Sequence, residues 1–130
     1  EYLRLAAASW ELPGGSIRPF WPTWRKRDLF ARARIQAEMG STDEALKTAE
    51  ELKSLVESGI NRKELKYYEY ILGLVELEKG DSRRAADLFR SACGRLDFED
   101  FWSTEQGDFL YQYATALRES GDLDKAHETL

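Results

Sequence analysis

The sequence predicts an all-α protein, built as an α-solenoid in which antiparallel helix hairpins stack side by side. The first observation is a glycine followed five residues later by an alanine, a pattern that occurs three times: Gly40 with Ala45, Gly80 with Ala85, and Gly121 with Ala126. These glycines lie 40 and 41 residues apart, and a fixed period of this size indicates a repeat architecture. Charged, helix-forming sequence flanks each glycine, and no alternation of apolar and polar residues is long enough for a strand.

The residues before the first repeat are expected to form two short segments. Residues 1–12 are expected to be a leading helix, the end of a preceding repeat, because their apolar residues share one broad face. Residues 13–23 are expected to be a linker rich in proline, glycine and aromatic residues, since its prolines and glycines interrupt helices. Three aromatic side chains here are predicted to cover an apolar end of the stack, or to lie in its groove or on a neighbouring molecule: Phe20, Trp21 and Trp24.

Three repeats follow, each consisting of a helix, a glycine turn and a second helix. They span residues 24–60, 61–102 and 103–130, and the first helix is predicted from Thr23 to Met39. The chain stops within the last helix, so the third repeat is interpreted as truncated and the chain as a fragment of a longer protein. Short polar residues precede the later helices, as N-caps do. The predicted caps are Ser41 with Glu44, Asn61 with Glu64, Asp81, Ser103 with Gln106, and Asp122.

The residues around these turns resemble those of the tetratricopeptide repeat family. In that family a small residue lies midway along the first helix, an alanine lies early in the second helix, and a large residue then precedes a small one. The second repeat fits best, with Gly73, Gly80, Ala85, Phe89 and Ala92. The first repeat has Ala33, Gly40, Ala45, and then Ala49 and Leu52 in reversed order of size; the third has Ala114, Gly121 and Ala126.

The resemblance covers about residues 24–130, with two departures. The period of 40–41 residues exceeds the family's usual value of about 34, and the closing proline is missing. Longer helices and altered angles between repeats are therefore expected. Ala33, Gly73 and Ala114 are expected to let the two helices of a hairpin approach, and the glycine of each turn to adopt the left-handed conformation that ends a helix. Repeats of this length look like those of bacterial regulatory and signalling proteins.

The resemblance also implies a concave groove lined by the first helices of successive hairpins. Tyrosine and arginine side chains along such a wall suit an extended peptide or a docked helix. The predicted groove residues are Arg27, Phe30, Arg34, Tyr67, Tyr70, Leu74, Tyr111, Thr115 and Arg118, with Glu38, Glu78 and Asp108 on the same wall. The alternative is that residues 16–24 or a following helix cover these aromatic side chains. Arg34 and Leu74 stand where the family's clamp for chaperone C-termini needs asparagine and lysine, so binding of that type is not expected.

Composition excludes several functions. The net charge of −5 argues against a general nucleic-acid or anionic-membrane surface, although residues 1–27 carry a local balance of +3. No apolar run approaches the roughly 18–20 residues that a membrane span requires. The single cysteine, Cys93, excludes an intramolecular disulfide and a multi-cysteine metal site, and it does not fix the compartment. A cytoplasmic location is favoured.

Three further features have ordinary structural interpretations. His127 is the only histidine and has no cysteine or carboxylate cluster around it in the sequence, so a catalytic or metal role is not expected. Cys93 is predicted to be a small buried residue. The basic run from Arg25 to Arg27 is interpreted as a solvated first helical turn, where positive charge opposes the helix dipole and a partner carboxylate would be favourable.

These observations predict a non-enzymatic protein-interaction scaffold that binds a partner peptide or helix in a concave groove. Neither a cofactor nor a metal is expected, and neither nucleic acid nor membrane is an expected partner. Self-association through the exposed ends of the stack is a second expected mode. The alternative hypothesis is a regulatory sensor region that binds a peptide or small molecule and controls an attached effector domain.

Overall fold

The computed structural model describes residues 21–59, 62–97 and 104–129, and its regular structure there is entirely helical. The prediction of an all-α protein is therefore confirmed over these ranges. The predicted leading helix, most of the predicted linker, and the predicted caps Asn61 and Ser103 lie outside the described residues. The elements in chain order are α1 (Trp21–Glu38), α2 (Thr42–Glu57), a 3₁₀ turn (Arg62–Glu64), α3 (Leu65–Glu78), α4 (Ser82–Gly94), α5 (Thr104–Glu119) and α6 (Leu123–Thr129).

The helices form three antiparallel hairpins: α1 with α2, α3 with α4, and α5 with α6. Each helix packs on the one before it and the one after it, and the first helices of neighbouring hairpins also touch, α1 on α3 and α3 on α5. Among the described helices, none combines the length and the apolar character needed to cross a bilayer. The first helix starts at Trp21, two residues before the predicted start. Pro22 is compatible with that start because the N–H groups of a first helical turn need no partner within the helix.

The three hairpin turns share one backbone geometry. Gly40, Gly80 and Gly121 have φ values of 81°, 87° and 91°, so the predicted left-handed glycines are confirmed. In the first turn the N–H of Ser41 donates to the carbonyl of Gln36 at 2.9 Å, and that of Gly40 donates to the carbonyl of Ala37 at 3.1 Å. The same pair of bonds recurs in the other two turns, and together they satisfy the carbonyls at the end of each first helix.

The caps of the second helices differ from one another. The Asp81 carboxylate accepts a hydrogen bond from the Arg84 N–H at 3.1 Å, and Asp122 accepts one from Lys125 at 3.4 Å, so both predicted caps are confirmed. Ser41 occupies the N-cap position, but its side chain makes no capping hydrogen bond. The capping box predicted with Glu44 is therefore wrong. The carboxylates of Asp43 and Glu44 instead lie in the first turn of α2, where the helix dipole favours negative charge.

Small residues dominate the contacts between the helices. Alanines from every hairpin are almost fully buried, and three large aromatic side chains fill the space between them. The buried alanines are Ala33, Ala37, Ala45, Ala49, Ala85, Ala86, Ala92, Ala114, Ala116 and Ala126; the aromatic residues are Tyr70, Phe89 and Phe109. This composition lets helix backbones lie close together, so that a few aromatic rings are enough to close the core.

The closest approach occurs between α3 and α4. Gly73 lies in the middle of α3, and a Cβ atom placed there would lie 2.5 Å from the Phe89 ring. Phe89 itself is fully buried. The Gly73 position is therefore occupied by the edge of a core aromatic ring, which explains a glycine where helix propensity alone would favour alanine.

Replacement of Gly73 by alanine is expected to lower the free energy of unfolding by about 1–2 kcal/mol, because overpacking against Phe89 outweighs the gain in helix propensity. Urea unfolding followed by circular dichroism measures the change. Gly107 is the matched control: it lies in α5, and among the described residues no atom beyond its chain neighbours and its own helix backbone lies within 4 Å of its Cβ position. Gly107→Ala should stabilise the protein by about 0.5–1 kcal/mol.

A double variant separates the two effects at Gly73. With Phe89→Leu already present, Gly73→Ala should cost less than it does in the natural sequence, because the two positions share one contact. Equal stabilisation by Gly73→Ala and Gly107→Ala would contradict the close approach of α3 and α4.

Candidate partner-binding site

The structure places two of the nine predicted groove residues in the core. Tyr70 is 1% exposed and Leu74 is 7% exposed, so neither offers a surface to a partner in this conformation. Tyr70 lies at the centre of an aromatic cluster, stacked on Phe109 with a centroid separation of 4.4 Å and an interplanar angle of 10°. Its ring also contacts Phe89 at 5.6 Å and Phe30 at 5.9 Å. Tyr70 thus contacts one aromatic ring from each of the three hairpins.

The Tyr70 hydroxyl is buried without a hydrogen-bond partner among the described residues. Burial raises the pKa of Tyr70 to about 12; Arg34 opposes this shift, and Asp108 and Glu38 add to it. These influences place the hydroxyl near the charged groups above the cluster. A buried hydroxyl without a partner costs free energy on folding, so the ring and not the hydroxyl stabilises this position.

Arg34 joins the first hairpin to the third across this cluster. Its guanidinium lies 3.2 Å from the Asp108 carboxylate of α5 and 3.3 Å from Glu38 of its own helix. Both pairs are partly solvent-exposed, so each contributes at most about 1 kcal/mol. The pair with Asp108 is a contact between α1 and α5.

Three more predicted groove residues lie on the rim of the cluster or beyond it. Phe30 and Tyr67 are half-buried and contact each other with a centroid separation of 4.9 Å. The ammonium group of Lys66 lies 5.2 Å from the centroid of the Tyr67 ring. Arg27 is exposed on α1. Phe30 and Tyr67 thus serve mainly as packing residues, with only part of each side chain available to a partner.

The remaining three predicted groove residues come together in one cleft. Tyr111, Thr115 and Arg118 of α5 line a depression of about 170 Å³ between α5 and α6. The other lining residues are Ala114, Leu123, Ala126 and His127. We call these seven residues the end cleft. Tyr111 is 61% exposed and Leu123 is 58% exposed, so the two largest apolar side chains of the end cleft are accessible to a partner.

The other two hairpins cover the same face with a helix. Counted from the turn glycine, Tyr111 corresponds to Tyr70, and Leu123 corresponds to Ser82. Tyr70 is buried because α5 packs on the second hairpin. In the same way α3 packs on α1 and α2. The end cleft is therefore the third-hairpin version of a surface that receives a helix twice elsewhere in the chain.

Sequence reasoning missed Leu123 and His127 as site residues. Leu123 stands where the other hairpins have Thr42 and Ser82, and His127 stands where they have Leu46 and Ala86. The signal available in the sequence was Leu123 itself, an apolar residue at the start of α6, where each of the two earlier hairpins has a hydroxyl residue. The pattern becomes informative only once the turn glycines have been aligned.

The basic run at the start of α1 binds carboxylates of this chain. Arg25 lies 3.2 Å from Glu51 and 3.4 Å from Asp28, and Lys26 lies 2.5 Å from Glu64. The interpretation as a solvated helical turn fits the exposed Arg27, whereas Lys26 is half-buried and its partner carboxylate is an internal one on the 3₁₀ turn.

Two side chains that often take part in chemistry, Cys93 and His127, have defined environments in the structure. Within the part of the chain that the structure describes, no three His, Cys, Asp or Glu side chains are grouped to hold a metal ion. Cys93 is half-buried on α4, and burial raises the pKa of its thiol to about 11, which keeps it in the unreactive form near neutral pH. His127 lies at the exposed edge of the end cleft.

A second cleft lies between α4, α5 and α6, with a volume of about 200 Å³. Its charged lining is nearly balanced, with Arg83, Arg90 and Lys125 against Asp87 and Asp122. Asp122 and Lys125 also form an ion pair with each other at 3.4 Å. This surface selects neither anions nor cations, and the end cleft is the better candidate for binding a partner.

Comparisons with protein-family models, with curated proteins and with solved structures found no match for this chain.

Replacement of Tyr70 by phenylalanine is expected to raise the free energy of unfolding at neutral pH by about 1 kcal/mol, because it removes a buried hydroxyl without a partner. Tyr68→Phe is the matched control, and the expected change in its free energy of unfolding has the opposite sign. The Tyr68 hydroxyl donates to the Glu50 carboxylate at 2.8 Å, so its loss should destabilise the protein slightly. Urea unfolding of both variants measures these changes.

The same variant has a defined pH dependence. The folded-state pKa of Tyr70 is raised from 10.0 to about 12, because burial disfavours its ionised form, so the free energy of unfolding is unaffected by this group below pH 10 and falls as pH rises from 10 towards 12. Tyr70→Phe should therefore show a smaller loss of stability between these values. Identical alkaline profiles for the natural protein and Tyr70→Phe would contradict the burial of this hydroxyl.

Proposed function

We propose that this chain is a protein-interaction module, a short α-solenoid of tetratricopeptide-like hairpins that binds an amphipathic helix of a partner protein. The observation that carries the proposal is the end cleft. Its equivalents on the first and second hairpins are filled by α3 and α5, so the cleft has the shape and spacing of a helix-binding face. Apolar side chains exposed together on such a face favour a partner that removes them from water.

The proposed binding surface is narrower than the nine-residue groove expected from the sequence. It consists of the end cleft, with Tyr111 and Leu123 as apolar anchors. Arg118 and His127 at the edge supply hydrogen-bond donors. Tyr70 and Leu74 are buried and Arg34 pairs with Asp108, so these three residues are not part of the proposed surface.

The partner chemistry follows from this lining. Ala114 and Ala126 form the floor of the cleft, and their small side chains let a helix backbone come close. A docked helix would therefore present one apolar stripe, with residues spaced three and four apart, and polar residues on its other sides. An extended peptide would leave the floor incompletely covered.

Binding of a synthetic helix tests the proposal. The probe is a fluorescein-labelled peptide with the sequence of residues 104–119, the α5 helix that covers the equivalent face of the second hairpin. Fluorescence anisotropy should show saturable binding to the full chain. Leu123→Glu should weaken binding about tenfold or more, because it places a charge in the apolar contact.

Two controls make the result specific. Ser91→Glu adds the same charge at an exposed position of α4 away from the cleft and should leave the affinity unchanged. A peptide of the same composition in shuffled order should not bind. Absence of binding by the natural chain, or equal binding by Leu123→Glu, would contradict the end cleft as a helix-binding site.

A further inference from the structure

The first helix carries an exposed apolar stripe on its outer side. Ile35 is 55% exposed and Met39 is 76% exposed, and both are among the most exposed large apolar residues of the described chain. Trp24 is 45% exposed, and Ala31 is also exposed. Spacings of seven and four residues place these side chains along one side of α1. We call these four residues the outer stripe.

The equivalents of Ala31 and Ile35 are buried in α3, whereas Met39 corresponds to the exposed Lys79 and Trp24 to the half-buried Glu64. Ile71 and Val75 of α3 occur 40 residues after Ala31 and Ile35, and they are 0% and 1% exposed. Their side of α3 faces the preceding hairpin, because Tyr68, one turn earlier, donates to Glu50 of α2 at 2.8 Å. In α5 the residue that corresponds to Ile35 and Val75 is Ala116, which is 0% exposed. The part of the outer stripe formed by Ala31 and Ile35 therefore corresponds to the face that, in α3, packs onto the hairpin before it.

The end cleft is the complementary face. Tyr70 is buried where α5 covers the second hairpin, whereas Tyr111, at the same position of the third hairpin, is 61% exposed. The described residues thus display both halves of one repeated contact: a first helix with its outer side exposed, and a hairpin with its receiving side exposed.

We propose that the outer stripe of α1 in one copy of the chain packs into the end cleft of a second copy, so that copies join head to tail. The contact repeats the geometry by which α3 packs on the first hairpin and α5 packs on the second. It joins two different surfaces, so the association is heterologous and each added copy leaves both kinds of face available for another.

Charge supports a second copy as the occupant. The α1 helix carries five basic residues against two acidic ones, and three of the five pair with carboxylates of other helices or turns of the same chain, which leaves Arg27 and Arg32 for a second copy. The segment from Asp122 to Thr129 carries three acidic residues against one lysine, and Arg118 adds a second cation beside the end cleft, so a small negative excess remains there. Opposite charges around two apolar faces favour their encounter and oppose pairing of either face with itself.

This inference rests on the proposed function, since it names the helix that enters the end cleft. The natural full chain is expected to show a weight-average mass that rises with concentration in sedimentation equilibrium. The rise should weaken with added salt, because the charges around the contact are exposed. A chain that stays monomeric at all concentrations, while it binds the 104–119 peptide, would overturn the inference and leave the proposed function intact.

Two variants test the orientation of the contact. Ile35→Glu blocks the outer stripe, and Leu123→Glu blocks the end cleft; each should be monomeric alone. An equimolar mixture should form a one-to-one heterodimer and nothing larger, because one intact stripe meets one intact cleft and the two altered faces repel each other. Ser91→Glu should associate like the natural chain.

Each other outcome overturns the inference. Two-fold symmetric dimerisation through one face would leave one of the two variants dimeric, and the mixture would not gain a heterodimer. Association that survives both substitutions would place the contact elsewhere. Circular dichroism and urea unfolding establish that both variants remain folded, which is expected because Ile35 and Leu123 are more than half exposed.

Discussion

A hairpin of two helices leaves one face of small residues that only another helix can cover. In this chain the constraint is visible in the alanines and in Gly73, which let helix backbones approach but bury little area by themselves. Their contribution depends on a third helix that excludes water from the face they form. The covering helix is α3 for the first hairpin and α5 for the second. On the third hairpin no helix among the described residues covers the equivalent face.

The aromatic cluster around Tyr70 shows how this packing restricts the surface. Phe109 stacks on Tyr70 at 4.4 Å and brings α5 so close to α1 that Arg34 reaches Asp108. The ion pair is partly exposed and adds little free energy, so ring packing and not charge sets the approach of these helices. Tyr70 is therefore buried at the centre of the stack, whereas Tyr111 and Leu123 at its end are exposed. For this reason the proposed binding surface contains Tyr111 and Leu123.

Several parts of the fold were predictable because their causes are local. A glycine with positive φ ends a helix through contacts with residues at most five positions away, so Gly40, Gly80 and Gly121 marked the turns. The Asp81 cap was likewise readable, since its partner is three residues later. The cap at Ser41 failed although the residue type was suitable, which shows that the side-chain geometry of a cap is not determined by composition alone.

Tyr70 and Tyr111 mark the boundary between what the sequence determined and what only the tertiary structure decided. The repeat register assigned both to one position of a hairpin, and that assignment needed nothing beyond the spacing of the turn glycines. Their exposures of 1% and 61% depend on whether another helix arrives over them. For Tyr70 that helix is α5, and its Phe109 ring, nearly 40 positions later in the chain, stacks on Tyr70. Local sequence therefore determined the helices, their turns and their register, whereas non-local packing decided which equivalent faces became core and which stayed exposed.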